Sequence, residues 1–143
     1  MSGWRYHLPV HPAAELFPLM KETDPEGFRE LVEDIKKNGL AEPIIFCADP
    51  NLGRCVLDGR NRLDAIDLLG PMKVSCEELE KEKDPYAYVI SKNIQRRHLT
   101  TEQKSDLIVK VLKAKPEVSN LQIAKQIKVD DKTVAKVRRK FRS

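Results

Sequence analysis

Leu57-Asp58-Gly59-Arg60-Asn61-Arg62-Leu63-Asp64-Ala65-Ile66 is the stretch on which the fold of this chain turns. It continues the apolar run Cys55-Val56-Leu57, bends at Gly59 and opens an amphipathic segment, so it reads as strand, tight turn and helix. Such a turn can cradle an anion. A glycine lets the backbone approach closely, the unpaired N–H groups of a helix start point outward, and Arg60 and Arg62 can add charge-assisted hydrogen bonds. Further along, Lys92-Asn93-Ile94-Gln95-Arg96-Arg97 supplies more arginine and, in Asn93, an oxygen ligand for a metal.

Upstream of the turn, Asp24 is a helix cap and Pro25 a first helical residue, followed by Phe28, Leu31, Val32 and Ile35 at helical spacing and a stop at Asn38-Gly39. Residues 43–47 and 54–57 then read as paired strands around a turn at 49–53. A helix is expected over 61–69, ending at Gly70-Pro71. A short strand follows at 72–74, then a charged loop at 77–83. Asp84-Pro85 starts another helix carrying Tyr86, Val89, Ile90 and Asn93. The expected body is α+β with a small sheet and packed helices.

From Thr100 the pattern is helical throughout. Thr100 or Thr101 caps a helix with Leu107, Ile108, Val111 and Leu112 inward, ending at Lys115-Pro116. Ser119 caps a second, with Leu121, Ile123, Ala124 and Ile127. A turn at Lys128-Val129-Asp130 leads into a third, with Val134 and Val137 inward. The small residue and the apolar facing sides are what a helix-turn-helix needs. Lys132, Thr133, Lys136, Arg138, Arg139, Lys140 and Arg142 are left on the outer side or tail of the last helix. Of these, Lys132, Thr133 and Lys136 are expected nearest the base edges of duplex DNA, and Arg138, Arg139 and Arg142 at its phosphates.

Charge distribution agrees. Residues 99–143 hold 12 Lys and Arg against 5 Asp and Glu, whereas residues 1–98 hold 14 against 17, within a net charge of +4. A basic end on a mildly acidic body suggests a polyanionic partner. With 143 residues and 41% hydrophobic content the chain can bury one medium domain and a small helical one. No apolar run approaches a membrane span and the N-terminus has no signal-peptide core, so a cytoplasmic protein without membrane contact is expected. Cys47, Cys55 and Cys76 are odd in number and far apart, and read as buried reduced thiols.

Three segments, Asp34-Ile35-Lys36-Lys37-Asn38-Gly39-Leu40-Ala41-Glu42-Pro43-Ile44, Asp58-Gly59-Arg60-Asn61-Arg62-Leu63-Asp64-Ala65 and Lys92-Asn93-Ile94-Gln95-Arg96-Arg97-His98-Leu99, resemble in order the motifs of the ParB/sulfiredoxin-like domain of plasmid and chromosome partition proteins. The helix-turn-helix stands where ParB-like proteins carry theirs, so the resemblance covers most of residues 8–143. It implies a nucleotide-binding domain over 1–98 and a DNA-binding region over 99–143. By position it implies that Gly39 and Leu40 line a pocket for CTP or another nucleoside triphosphate. Gly59, Arg60, Asn61, Arg62, Gln95, Arg96 and Arg97 would serve the nucleotide and its phosphates, and Asn93 would ligate Mg²⁺. Double-stranded DNA is the implied partner, with a homodimer on nucleotide or DNA binding left open. The C-terminal dimerisation domain of full partition proteins is expected to be absent.

The chain departs from the family pattern. Lys92 replaces the usual Glu before the Asn, so hydrolysis is expected to be absent or weak. Arg60 and Asn61 replace a Glu and an Arg, and Arg60 also stands where the sulfiredoxin branch has its catalytic Cys, which excludes sulfinic acid reduction. Two alternatives stay open: a nuclease or NTPase in which Asp58, Asp64 and Asn93 gather a metal, and a simple helix-turn-helix regulator that binds no nucleotide.

Overall fold

The computed structural model describes residues 3–96 and 98–142. Residues 1–85 form one compact unit and 86–143 a second. Helix α1 (Met20–Thr23), α2 (Pro25–Asn38), strands β1 (Ile44–Asp49) and β2 (Gly53–Asp58), α3 (Arg60–Leu69) and β3 (Cys76–Glu78) build the first. In the second are α4 (Pro85–Arg96), α5 (Thr101–Ala114), α6 (Asn120–Ile127) and α7 (Asp131–Arg142). The fold class is α+β, as expected, and α4, which bears the third motif, groups with the later helices.

Local chemistry sets most element boundaries. The Asp24 carboxylate accepts the Gly27 N–H at 3.1 Å at the start of α2, and Gly39 ends that helix with φ 76°. Asp49 Oδ2 closes the hairpin by accepting from Asn51 N at 2.9 Å and Leu52 N at 3.0 Å. Thr100 and Gln103 form a reciprocal capping box on α5, and Ser119 caps α6 through Gln122 N at 3.1 Å. Asp130 accepts from Lys132 N at 3.0 Å; that bond holds its carboxyl below its ordinary range, so the cap is ionised at neutral pH and is lost only in strong acid.

The three-stranded sheet has the order β2-β1-β3, antiparallel between β1 and β2 and parallel between β1 and β3. Cys47 lies opposite Cys55 and Phe46 opposite Val56, while Ile45 pairs with Asp58, so a bulge leaves Leu57 extra just before the Gly59 turn. The third strand is not at 72–74. Val74 packs into the core cluster and Met72 against α2 and α3, and the ladder is made instead by Cys76, Glu77 and Glu78. All three are exposed on an edge strand, so they carry no apolar alternation to betray it.

One core cluster joins Trp4, Ile44, Phe46, Val56 and Leu63; a second joins Phe28 and Ile35 of α2 to Ala65 of α3. Residues 3–17, which the sequence pattern left unassigned, form two 3-10 turns that strap the first unit. Val56 exchanges backbone bonds with this segment, Val56 N to Pro9 O at 2.8 Å and His11 N to Val56 O at 2.9 Å. Trp4 Nε1 donates to Asp64 Oδ1 at 2.8 Å and the Arg5 guanidinium stacks on the Trp4 ring at 4.4 Å. Replacing Trp4 by Ala should therefore cost about 3–5 kcal/mol, because it empties the cluster and strips Asp64 of its indole donor. Urea unfolding checks this, and a shift worth less than about 1 kcal/mol would show the strap to be dispensable.

In the second unit most inward residues are those expected: Leu107, Ile108, Val111 and Leu112 on α5, Ile123, Ala124 and Ile127 on α6, and Val134 on α7 are buried, whereas Val137 is half-buried near the end of α7. Lys128, with φ 63° and ψ 53°, makes the left-handed residue that ends α6. Among the described residues no helix is long and apolar enough to cross a membrane.

Candidate functional site

Gly59 is required by its surroundings. Its φ is 118°, and a Cβ there would lie 2.6 Å from Ile44 Cδ1. It is also the N-cap residue of α3, with no side chain capping the helix and no acidic residue in the first turn. The start of α3 thus has no side-chain cap, a condition that favours an anion, while the adjoining Asp58 carboxylate is bonded to Arg62.

The side chains of the turn are already engaged. Arg60 Nη2 donates to Phe17 O at 2.6 Å and Asn61 Oδ1 accepts from Met20 N at 3.0 Å, so both tie down the segment leading into α1. Arg62 Nη1 donates to Glu42 O at 2.8 Å and Pro43 O at 2.9 Å, while Nη2 donates to Asp58 Oδ2 at 3.1 Å. One guanidinium thereby joins the loop after Gly39-Leu40 to the end of β2, and the first two motifs meet through it. Gly39 is half-buried, and Leu40 packs beside Phe28, Ile35 and Ala65. Apart from the Arg62–Asp58 pair, these anchors were not readable in the sequence, because their partners are backbone carbonyls or, for Asn61, the Met20 N–H, groups that residues of any type supply.

The carboxylates proposed for a metal are held by protein donors. Asp58 faces Arg62, and Asp64 faces Trp4 Nε1 and Arg5 Nη2, with Lys21 Nζ at 3.6 Å. Among the described residues no group of three or more His, Cys, Asp or Glu is placed to hold a metal ion. The third motif lies on α4: Asn93 is buried and its Nδ2 donates to Val89 O at 2.8 Å, which leaves Oδ1 as the group suited to a cation. Gln95 and Arg96 are exposed; Arg97 lies outside the described residues. Lys92 Nζ lies over the Tyr88 ring at 5.8 Å.

On α7, Lys132, Lys136, Arg139, Lys140 and Arg142 are exposed and Thr133 is half-buried, opposite the buried Val134. Arg138 differs. Its Nε donates to Asn120 Oδ1 at 2.7 Å, Nη1 to Pro116 O at 3.2 Å, and Nη2 to Val118 O. It pins the α5–α6 connection to α7, so its guanidinium is committed to holding the three helices together.

A three-stranded sheet of this order, a glycine-arginine turn and a following helical unit with a basic last helix belong to a fold seen in solved structures. The C-terminally truncated chromosome-partitioning protein ParB from Caulobacter crescentus, complexed to the centromeric parS site, matches with a TM-score of 0.50 at 23% identity over 78% of this chain and 58% of that one. The fold is ParB-like. The same protein complexed with CTP-gamma-S matches over 91% of this chain and 71% of that one, with a TM-score of 0.48 at 24% identity. No protein-family model and no curated protein matches the sequence.

The cysteines depart from expectation at one position. Cys47 and Cys55 are buried free thiols, but Cys76 is exposed, because the edge strand β3 turns it to solvent.

Proposed function

We propose that the chain is a ParB-like DNA-binding protein that also binds a nucleoside triphosphate, CTP in first place, and serves partition or regulation of a plasmid, phage or other mobile element. The observation that carries the reading is α7, whose apolar side holds Val134 in the core while Lys132, Lys136, Arg139, Lys140 and Arg142 stand exposed. After the turn at Lys128 this makes α6 and α7 a helix-turn-helix with α7 as the helix for the major groove. Its basic residues then neutralise phosphates, and Lys132, Thr133 and Lys136 read base edges. A single copy presents one such helix, so site-specific binding uses two copies on paired half-sites.

Nucleotide binding is supported by the uncapped start of α3 at Gly59 and by the motif resemblance. In the first unit the backbone N–H groups after Gly59 take phosphate oxygens. The motif resemblance alone assigns Mg²⁺ to Asn93 and a phosphate to Arg96. Turnover is absent or slow, since Lys92 puts a cation where a carboxylate would otherwise stand.

A second reading is favoured by one specific observation. Arg60, Asn61 and Arg62 all bond to the protein itself, so the turn can be purely structural and the chain a DNA-binding regulator without a nucleotide. Calorimetry with CTP, ATP and GTP in the presence of Mg²⁺ separates the two. The proposal expects a saturable heat with CTP, weakened by Asn93→Ala. No heat with any of the three leaves the regulator reading in place.

A further inference from the structure

We infer that Cys47 and Cys55 form a latent redox site, a dithiol that closes to an intramolecular disulfide by exchange with a small-molecule disulfide. The two residues are direct partners across the antiparallel ladder of β1 and β2, and their Sγ atoms stand 3.8 Å apart. Opposed antiparallel residues have Cα atoms roughly 4.5–5.5 Å apart, inside the roughly 4.4–6.8 Å that a disulfide spans. Shortening the sulfur separation to about 2.05 Å needs each Sγ to move by about 0.9 Å. Both side chains lie within the core, Cys55 at 0% and Cys47 at 4% exposure, and neither is used by the DNA or nucleotide chemistry proposed above. Cys76 is not a competitor, since it is exposed and pairs with Ile44 at the other edge of β1.

The reaction balances in two displacements. One protein thiolate attacks a sulfur of R–S–S–R, forming a protein–S–S–R bond and expelling RS⁻. The second thiolate attacks the protein sulfur of that mixed disulfide, forming the Cys47–Cys55 bond and expelling a second RS⁻. The two thiol protons pass to the two leaving groups, so the dithiol is oxidised by two electrons and one small disulfide is reduced to two thiols. The intermediate is short-lived because the second sulfur is already adjacent. Burial pushes the Cys47 thiol up to about 12, so the folded pair is protonated at neutral pH and exchange proceeds through opening of the hairpin. The equilibrium, not the rate, is therefore the quantity to test.

The full chain is unfolded in denaturant and refolded to equilibrium in glutathione buffers of graded reduced-to-oxidised ratio, then quenched in acid, alkylated and peptide-mapped. Cys76 in the same chain reports simple mixed-disulfide formation. The expected result is joint loss of the Cys47 and Cys55 thiols into one cross-linked peptide pair at ratios that leave Cys76 mostly free. The cross-linked chain should unfold cooperatively at a Tm above that of Cys47→Ser. Folded chain with both thiols free at every ratio would overturn the inference. So would stable glutathione adducts on either residue alone, or a cross-linked chain that no longer unfolds cooperatively.

Discussion

Neutralising Lys136, Arg139 and Arg142 together should lower duplex-DNA affinity at moderate salt by roughly two to three orders of magnitude, while leaving the thermal midpoint within a few degrees of the parent. All three are exposed on α7, so their loss costs the fold little. Each phosphate contact removed should flatten the slope of log affinity against log salt by about 0.9, or about 2.7 for the three. Thr133 substitutions should act differently, relaxing base preference at one position by about 1–3 kcal/mol with the salt slope nearly intact. Arg138→Ala supplies the contrast. Its guanidinium holds Asn120, Pro116 and Val118, so the loss should appear as about 2–3 kcal/mol of stability and not as a change of slope. Fluorescence anisotropy over a salt series, paired with thermal melts, reads both quantities. Equal binding by the parent and by a chain ending at Pro116 would remove α7 from the interface altogether.

Arg62→Ala should destabilise the first unit by about 3–4 kcal/mol. Its side chain and that of Asp58 are 12% and 10% exposed, so removing the cation takes a charge partner from a carboxylate shielded from water. The Glu42 and Pro43 carbonyls lose their donor in the same step, which frees the loop after Leu40. Arg62→Lys should recover only part, since an ammonium keeps the charge but not the planar fork that reaches both carbonyls and the carboxylate. Asp58→Asn in the Arg62→Ala background should also recover part, because the carboxylate that Arg62 neutralised is then gone. Urea unfolding of the parent, Arg62→Ala, Asp58→Asn and the double variant closes a double-mutant cycle, and a loss under about 1 kcal/mol for Arg62→Ala would mean that the network is solvent-screened. Nucleotide titrations of Arg62 variants need the same unfolding curves beside them, since lost affinity and lost fold would otherwise look alike.

Much of the architecture was legible because it is local. The Asp24 cap, the Gly39 stop, the Asp49 turn, the Thr100–Gln103 box and the Ser119 cap each involve partners within a few residues. The buried stripes of α5, α6 and α7 follow from helical period alone. The edge strand was misplaced for the converse reason. Its residues 76–78 are exposed and polar, and only the parallel register with Ile44, Ile45 and Phe46 makes them a strand, while the apolar Val74 that looked like one plugs the core. The strap over 3–17 was unreadable on the same ground: Trp4 finds Asp64 sixty residues away in sequence, and no short-range pattern encodes that distance.

The residues of the candidate site divide along the same line. Sequence by itself determined that a glycine stands at a strand-to-helix turn, that arginines flank it, and that the last helix is basic on one side and apolar on the other. Those are consequences of residue type and spacing. Tertiary structure decided what each charged group is bound to: Arg60 to Phe17, Arg62 to Glu42, Pro43 and Asp58, Arg138 to the α5–α6 connection, and Asp64 to Trp4 and Arg5. A guanidinium is satisfied by any carbonyl brought into its plane, and which carbonyl arrives depends on how distant segments pack rather than on the residues beside it.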